Sequence, residues 1–257
     1  MTRASTGDNA LDAFVPWPER GVLRVHFDPA ALPHLGDEPG ANRFDDPRPR
    51  TIDRFLMRYA ATTLRGCLLE LLAAFRDNPE ANDRIAAIDD DDPYLMRAPA
   101  TSDWQHVADF LDQRQVASIK AGGLAIVSIN DPAVQHELDQ EPAVRAVLDT
   151  DAARQALLER SGSRAHLDNA AIRLASEPGR YITQACALAL YDRDSKPDAI
   201  HYRSRHDDLE DCWAIYHRAD VQIGAAEALS PDVTDHAEAF TAVAKLWNLP
   251  VPPTWQQ

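Results

Sequence analysis

Five polar residues stand out as able to do chemistry. They are Arg24 in "VLRVH", Arg43 in "ANRFDDP", Tyr59 and Glu70 in "YAATTLRGCLLELL", and Ser204 in "HYRSR". All fall in or near predicted strands and loops, apart from Glu70, which sits in an apolar helical segment. Arg43, Arg48, Arg50, Arg54 and Arg58 lie within sixteen residues, offset only by Asp45, Asp46 and Asp53. In a chain of net charge −15 this is a local reversal of charge. The planar donor fork of arginine suits phosphate, although a solvated loop is the plainer account of such a run. Glu70 poses the same choice between a solvated carboxylate and a working one.

The elements that must position these residues follow from pattern. "GVLRVHF" (21–27) alternates as a strand, and the Pro-, Gly- and Asp-rich 28–50 reads as loop. "FLMRYAA" (55–61) reads as a second strand, with Thr62 or Thr63 capping a helix that runs to about Arg76. Leu64, Cys67, Leu68, Leu71, Leu72 and Phe75 form its apolar stripe. At about 100° per residue, Glu70 sits roughly 130° from the centre of that stripe. Periodicity alone therefore places it on the outer face. Ser102 is a cap for a helix expected over 103–120, ended by Gly122 and Gly123. "LAIVSI" (124–129) reads as a strand, and helices are expected over 133–149, 150–160 and 180–192. Strands follow at 199–205 and 212–217, then a helix at 235–247 and a Pro-rich tail. Strands and helices mix without βαβ regularity, which predicts an α+β fold. One domain over 1–257 is expected, with 1–18 as a flexible arm.

Composition removes whole classes. A nucleic-acid binder carries a basic footprint, and an anionic membrane surface repels so acidic a chain. No direct nucleic-acid or membrane partner is expected. Cys67, Cys186 and Cys212 show no C-x-x-C spacing, so neither a disulfide framework nor a cysteine zinc site is expected. No secretory h-region and no 18-residue apolar run occurs, which makes the cytoplasm the expected compartment. The standard nucleotide loops and the G-x-S-x-G elbow are absent. "HELDQ" (136–140) lacks the second histidine of a zincin helix. The acidic 87–94 stretch does not match a calcium loop. His201 and His206, five apart on a predicted strand, point to opposite faces and are not expected to share a metal.

Taken in order, "LRVH" (23–26), "NRFDDP" (42–47), the Tyr59–Leu72 segment, "YITQACALAL" (181–190) and "IHYRSRHDDLEDCWAIY" (200–216) resemble the RES-domain family. The resemblance covers about residues 20–220, and the eleven-residue Tyr-to-Glu spacing is among its more specific features. The "PRPRTIDRF" insert and both terminal extensions depart from the family pattern. The resemblance implies an ADP-ribosyltransferase-like fold, a twisted and mostly antiparallel sheet flanked by helices that grips NAD. It implies NAD cleavage by a toxin, through hydrolysis or phosphorolysis, with ADP-ribosyl transfer to a protein as the alternative. It places Arg24 and Arg43 on the phosphates, Tyr59 against a ring, Glu70 and Ser204 at the reacting centre, and a helix-turn-helix antitoxin as partner. No metal is called for, and a homo-oligomer is left open.

The residue chemistry is consistent with that expectation. Breaking a nicotinamide–ribose bond builds positive charge on the ribose, as glycoside cleavage does. A carboxylate beside the sugar stabilises that charge, arginines hold the pyrophosphate, and an aromatic face stacks on a base. A non-enzymatic protein that only binds a partner is the rival reading, and it predicts no NAD cleavage.

Overall fold

The computed structural model describes residues 14–31, 40, 42–76, 104–161 and 165–256. The acidic 87–94 stretch, Ser102 and residues 1–13 of the expected arm lie outside them. In chain order the elements are β1 (Val22–His26), β2 (Met57–Ala61), α1 (Leu64–Leu71), α2 (Trp104–Asp112), β3 (Gln115–Lys120) and β4 (Ile126–Ser128). Next come α3 (Pro132–Gln140), α4 (Pro142–Leu148), α5 (Asp151–Ser161), α6 (Asn169–Arg173) and α7 (Glu177–Asp192). The chain continues through β5 (Ala199–Arg203), β6 (Asp211–Tyr216), β7 (Gln222–Ile223), β8 (Glu227–Ala228) and α8 (Thr234–Trp247).

The strands form one mixed sheet in the order β4-β5-β6-β2-β1-β3-β7, with β8 also on β3. Only the β4–β5 pair is parallel among the described strands. Helices and sheet together make an α+β architecture. The main core runs from Val25 on β1 to Trp255 beyond α8 and includes Leu68, Leu72, Ile182 and Phe240. A smaller cluster on the other sheet face holds Val22, Ala60, Ile126 and Trp213.

β1 and β2 are joined at a single register pair, Leu23↔Ala61. By contrast, β1 and β3 pair over five residues, as do β2 and β6. The two central strands therefore splay, and the sheet opens between them.

Three expectations need correction. The helix expected over 103–120 ends at Asp112, and 115–120 is a strand. "QVASIK" carries Val and Ile where β3 buries against the sheet, and pairing with β1 overrides the helical reading. The arm expected over 1–18 does not extend through Phe14, Val15 and Trp17, which pack on the two clusters. The Val15 N–H donates to the Ile126 carbonyl at 2.8 Å, and Trp17 lies 5.3 Å from Trp213, ring to ring. His206 lies beyond the end of β5, so it and His201 are not on one strand.

Candidate functional site

The cavity sits in the β1–β2 split. It has a volume of about 520 Å³, within the usual range for small-molecule sites. β1 contributes Arg24, Val25 and His26, β2 contributes Tyr59 and Ala61, and α1 contributes Cys67 and Glu70. The far wall comes from the start of α7 and from Tyr202 and Arg205.

α1 begins where Thr63 caps it, its hydroxyl accepting from the Gly66 N–H at 2.9 Å. Leu64, Cys67, Leu68 and Leu72 are buried, as the stripe predicts. Glu70 lies off the stripe, yet its face of the helix lines the cavity rather than open water. The Ser204 hydroxyl donates to Glu70 Oε1 at 2.7 Å. The same hydroxyl accepts from the His206 N–H at 3.1 Å. Its single proton is therefore committed to the carboxylate. Ser204 is fully buried and does not line the cavity, so it sits behind Glu70 and fixes its orientation.

The turn carrying Ser204 is clamped from two sides. Arg65 on α1 pairs with Glu210 and Asp207, both at 2.7 Å. Arg173 on α6 donates to the carbonyls of Ser204 and Arg205 and pairs with Asp208.

Tyr59 is used at its hydroxyl and at its ring. The hydroxyl donates to Asp45 at 2.7 Å and accepts from the Phe44 N–H at 3.0 Å, which pins the loop that carries Arg43. Burial, with Asp45 beside it, holds this phenol well above its ordinary pKa. The ring lines the cavity.

Arg43 donates one nitrogen to the Ile172 carbonyl, and its guanidinium lies 5.3 Å from the ring centres of Phe44 and Tyr202. Its Nε and Nη1 are buried without a partner among the described residues. Burial depresses its pKa, while Tyr202 and Glu70 oppose that shift. Buried donors left unmet cost about 1–3 kcal/mol each, so Arg43 is poised for an acceptor from outside the protein.

Arg24 is 2% exposed and donates to the carbonyls of Pro29 and Ala31 at 3.1 and 3.0 Å. Burial, followed by the charge of Arg58, lowers its pKa to about 10.

The structure thus brings Arg24, Arg43, Tyr59 and Glu70 to one cavity and places Ser204 directly behind it. It adds residues that the sequence reading did not single out, chiefly Arg180 and Arg205. Arg180 has a buried Nε without a partner among the described residues and donates to Glu177 through Nη2 at 3.4 Å. It follows the start of α7, where Ser176 caps without a side-chain hydrogen bond and Leu174–Glu177 line the cavity. The "SEPG" stretch is a legible helix start, but nothing local shows that it faces the same cavity as β1. Four arginines against Glu70 and Glu177 make the described lining cationic within an acidic chain.

His201 faces the smaller cluster, its ring 4.7 Å from that of Trp213. Its Nδ1 is 3.1 Å from the Ser128 hydroxyl and its Nε2 is 2.9 Å from Asp211. No group of three or more His, Cys, Asp or Glu among the described residues is arranged to hold a metal ion. No described helix is long and apolar enough to cross a membrane.

No family model matches the sequence. No curated protein matches it either. Among solved structures, the chain is similar to one from the crystal structure of the M. tuberculosis MbcT–MbcA toxin–antitoxin complex. The identity is 13%, over 88% of this chain and 89% of that chain, with a TM-score of 0.45. A likeness of that degree carries no functional weight.

Proposed function

We propose that this protein is a RES-type, ADP-ribosyltransferase-like enzyme that cleaves the nicotinamide–ribose bond of NAD and acts as a toxin by depleting it. The observation that carries the reading is one constellation. Glu70, oriented by the committed Ser204 hydroxyl, shares a cavity with Arg43, two of whose buried guanidinium nitrogens have no partner among the described residues. The order and spacing of the sequence segments support the same family.

In this reading Arg43 meets the central phosphates, Arg24 holds the dinucleotide from the other side of the split, and Tyr59 and Tyr202 offer ring faces. As the C–N bond breaks, its electron pair leaves with nicotinamide and positive charge develops on the ribose. The Glu70 carboxylate stabilises that charge, and the ribose carbon then takes up phosphate, or water that releases a proton to solvent. The stabilisation matters in the transition state and little in the ground state, so it acts on rate. A protein that acts this way in its own cell needs restraint, which is where a helix-turn-helix antitoxin partner enters the proposal.

The test is incubation of purified protein with NAD, with and without phosphate, followed by product identification. Free nicotinamide with ADP-ribose indicates hydrolysis, and an ADP-ribose phosphate ester indicates phosphorolysis. A protein that carries the label would move the reading to ADP-ribosyl transfer, and intact NAD would favour the non-enzymatic binding protein.

A further inference from the structure

Building on the dinucleotide reading, we infer a second phosphate subsite beside the cavity at the β1–β2 split, formed by Arg24, His26 and Arg58, which takes the 2′-phosphate of a phosphorylated dinucleotide such as NADP.

Strand alternation sets these three side chains on one sheet face. Val22 and Ala60 belong to the smaller cluster, whereas Val25, Met57 and Ala61 belong to the main core. Arg24 and His26 share the parity of Val22, and Arg58 shares that of Ala60. Beyond the single Leu23↔Ala61 pair the strands part, with His26 at the end of β1 and Arg58 near the start of β2. Arg24 and His26 line the cavity itself, and Arg58 is close enough to depress the Arg24 pKa.

The arginines of this set are poorly matched by the protein, while burial and Arg24 lower the pKa of His26, whose Nδ1 lies against the Asp28 backbone. Arg24 is almost wholly buried and donates to two carbonyls rather than to a carboxylate. Among the described residues Arg58 makes no ion pair with a carboxylate, and its buried Nε has no partner. Arg114, held between the rings of Phe27 and Phe110 at 3.4 and 4.0 Å, adds its charge beside His26, and its buried Nη1 has no partner among the described residues. Asp28 is the carboxylate that acts on both Arg24 and His26, and its Oδ1 is occupied by the N–H groups of Ala30 and Ala31. One engaged acid cannot neutralise this set, and a monoester dianion can.

The inner cations form a separate group. The charged groups acting on Arg43 are Glu70 and Arg205, whereas those acting on Arg24 are Arg58 and Asp28. A ligand that carries phosphate only at its centre leaves one of the two groups unmatched, and a dinucleotide with an added 2′-phosphate answers both.

The test is calorimetric titration of the Glu70→Gln protein, which should hold the ligand without consuming it, with NAD, NADP, adenosine 2′,5′-bisphosphate and AMP. NADP should bind about tenfold to a hundredfold more tightly than NAD, the worth of one charge-assisted contact. Arg58→Ala, checked for folding by thermal melting, should bring that ratio close to one, and Arg58→Lys should keep part of it. Equal affinity for NAD and NADP overturns the subsite, as does an Arg58→Ala variant that weakens both alike. Inorganic phosphate competing with NAD as strongly as the bisphosphate does would also overturn it, in favour of a free-anion site. The two readings fail separately. Wild-type cleavage of NAD without a preference for NADP leaves the proposed function standing and removes the subsite. Arg58-dependent binding of the bisphosphate by a protein that cleaves neither dinucleotide does the reverse.

Discussion

Glu70 and Ser204 act as a pair whose members should fail differently. Glu70→Gln keeps the shape and removes the charge, so kcat should fall on the order of 10²–10³-fold while KM changes much less. Ser204→Ala leaves the charge but releases the carboxylate from its 2.7 Å contact. A displacement of about 1 Å can cost around 10²-fold, so kcat should again fall while KM stays nearly constant. Steady-state kinetics on the two variants check this, and a Ser204→Ala effect confined to KM would mean that the hydroxyl touches the ligand. Arg43→Ala should cost about 1.5–3 kcal/mol of ligand interaction. It should also lower the melting temperature, because Arg43 packs against Phe44 and Tyr202 and holds the Ile172 carbonyl. From the sequence Arg43 reads as a loop residue of little structural weight, since nothing local reports that its loop closes over Tyr202. The off-stripe position of Glu70 was legible. Whether that face met solvent or a cavity was not, because the answer depends on strands far away in the chain.

At the scale of elements, long periodic segments were readable and short or paired ones were not. α1 and α7 carry clear stripes and starts, whereas "QVASIK" holds a pattern that either periodicity accommodates, and its pairing with β1 decides the outcome. Arg180 and Arg205 escaped for a related reason, since their place depends on where α7 and the 204–210 turn arrive. The arrival of α7 rests on Gly179, where an added Cβ would stand 2.2 Å from the Leu174 carbonyl oxygen. Backbone cannot yield as a flexible side chain can. Gly179→Ala should therefore destabilise the fold by about 1–3 kcal/mol. It should also weaken NAD binding by moving the helix start that lines the cavity. Denaturant unfolding and calorimetry together test this, and unchanged affinity in a destabilised protein would detach α7 from the site.

Across the whole molecule, burial of weak acids sets an alkaline limit. The Cys67 thiol is pushed from 9.0 to about 12 by burial. Burial likewise raises the thiols of Cys186 and Cys212 and the phenols of Tyr59, Tyr202 and Tyr216. Above pH 9 the unfolded chain loses cysteine protons that the folded chain keeps, so stability is full below that pH and falls as pH rises. Each such group gives up about 1.4 kcal/mol per pH unit within its window. Arg24, depressed to about 10, acts in the opposite sense only at higher pH. The melting temperature should therefore drop between pH 9 and 10, and a flat profile there would contradict the burial of these groups.

The single β1–β2 pair gives the sheet a seam. One leaf carries β1, β3, β7 and β8, the other β2, β6, β5 and β4, and across the seam the Cys67 thiol donates to the Leu23 carbonyl at 3.0 Å. A ligand gripped by Arg24 on one leaf and by Arg43 and Glu70 on the side of the other acts as a staple. Amide exchange at the edges of the seam should be fast in the free protein and slow sharply once the ligand is bound, while the five-residue pairings to β3 and β6 change little.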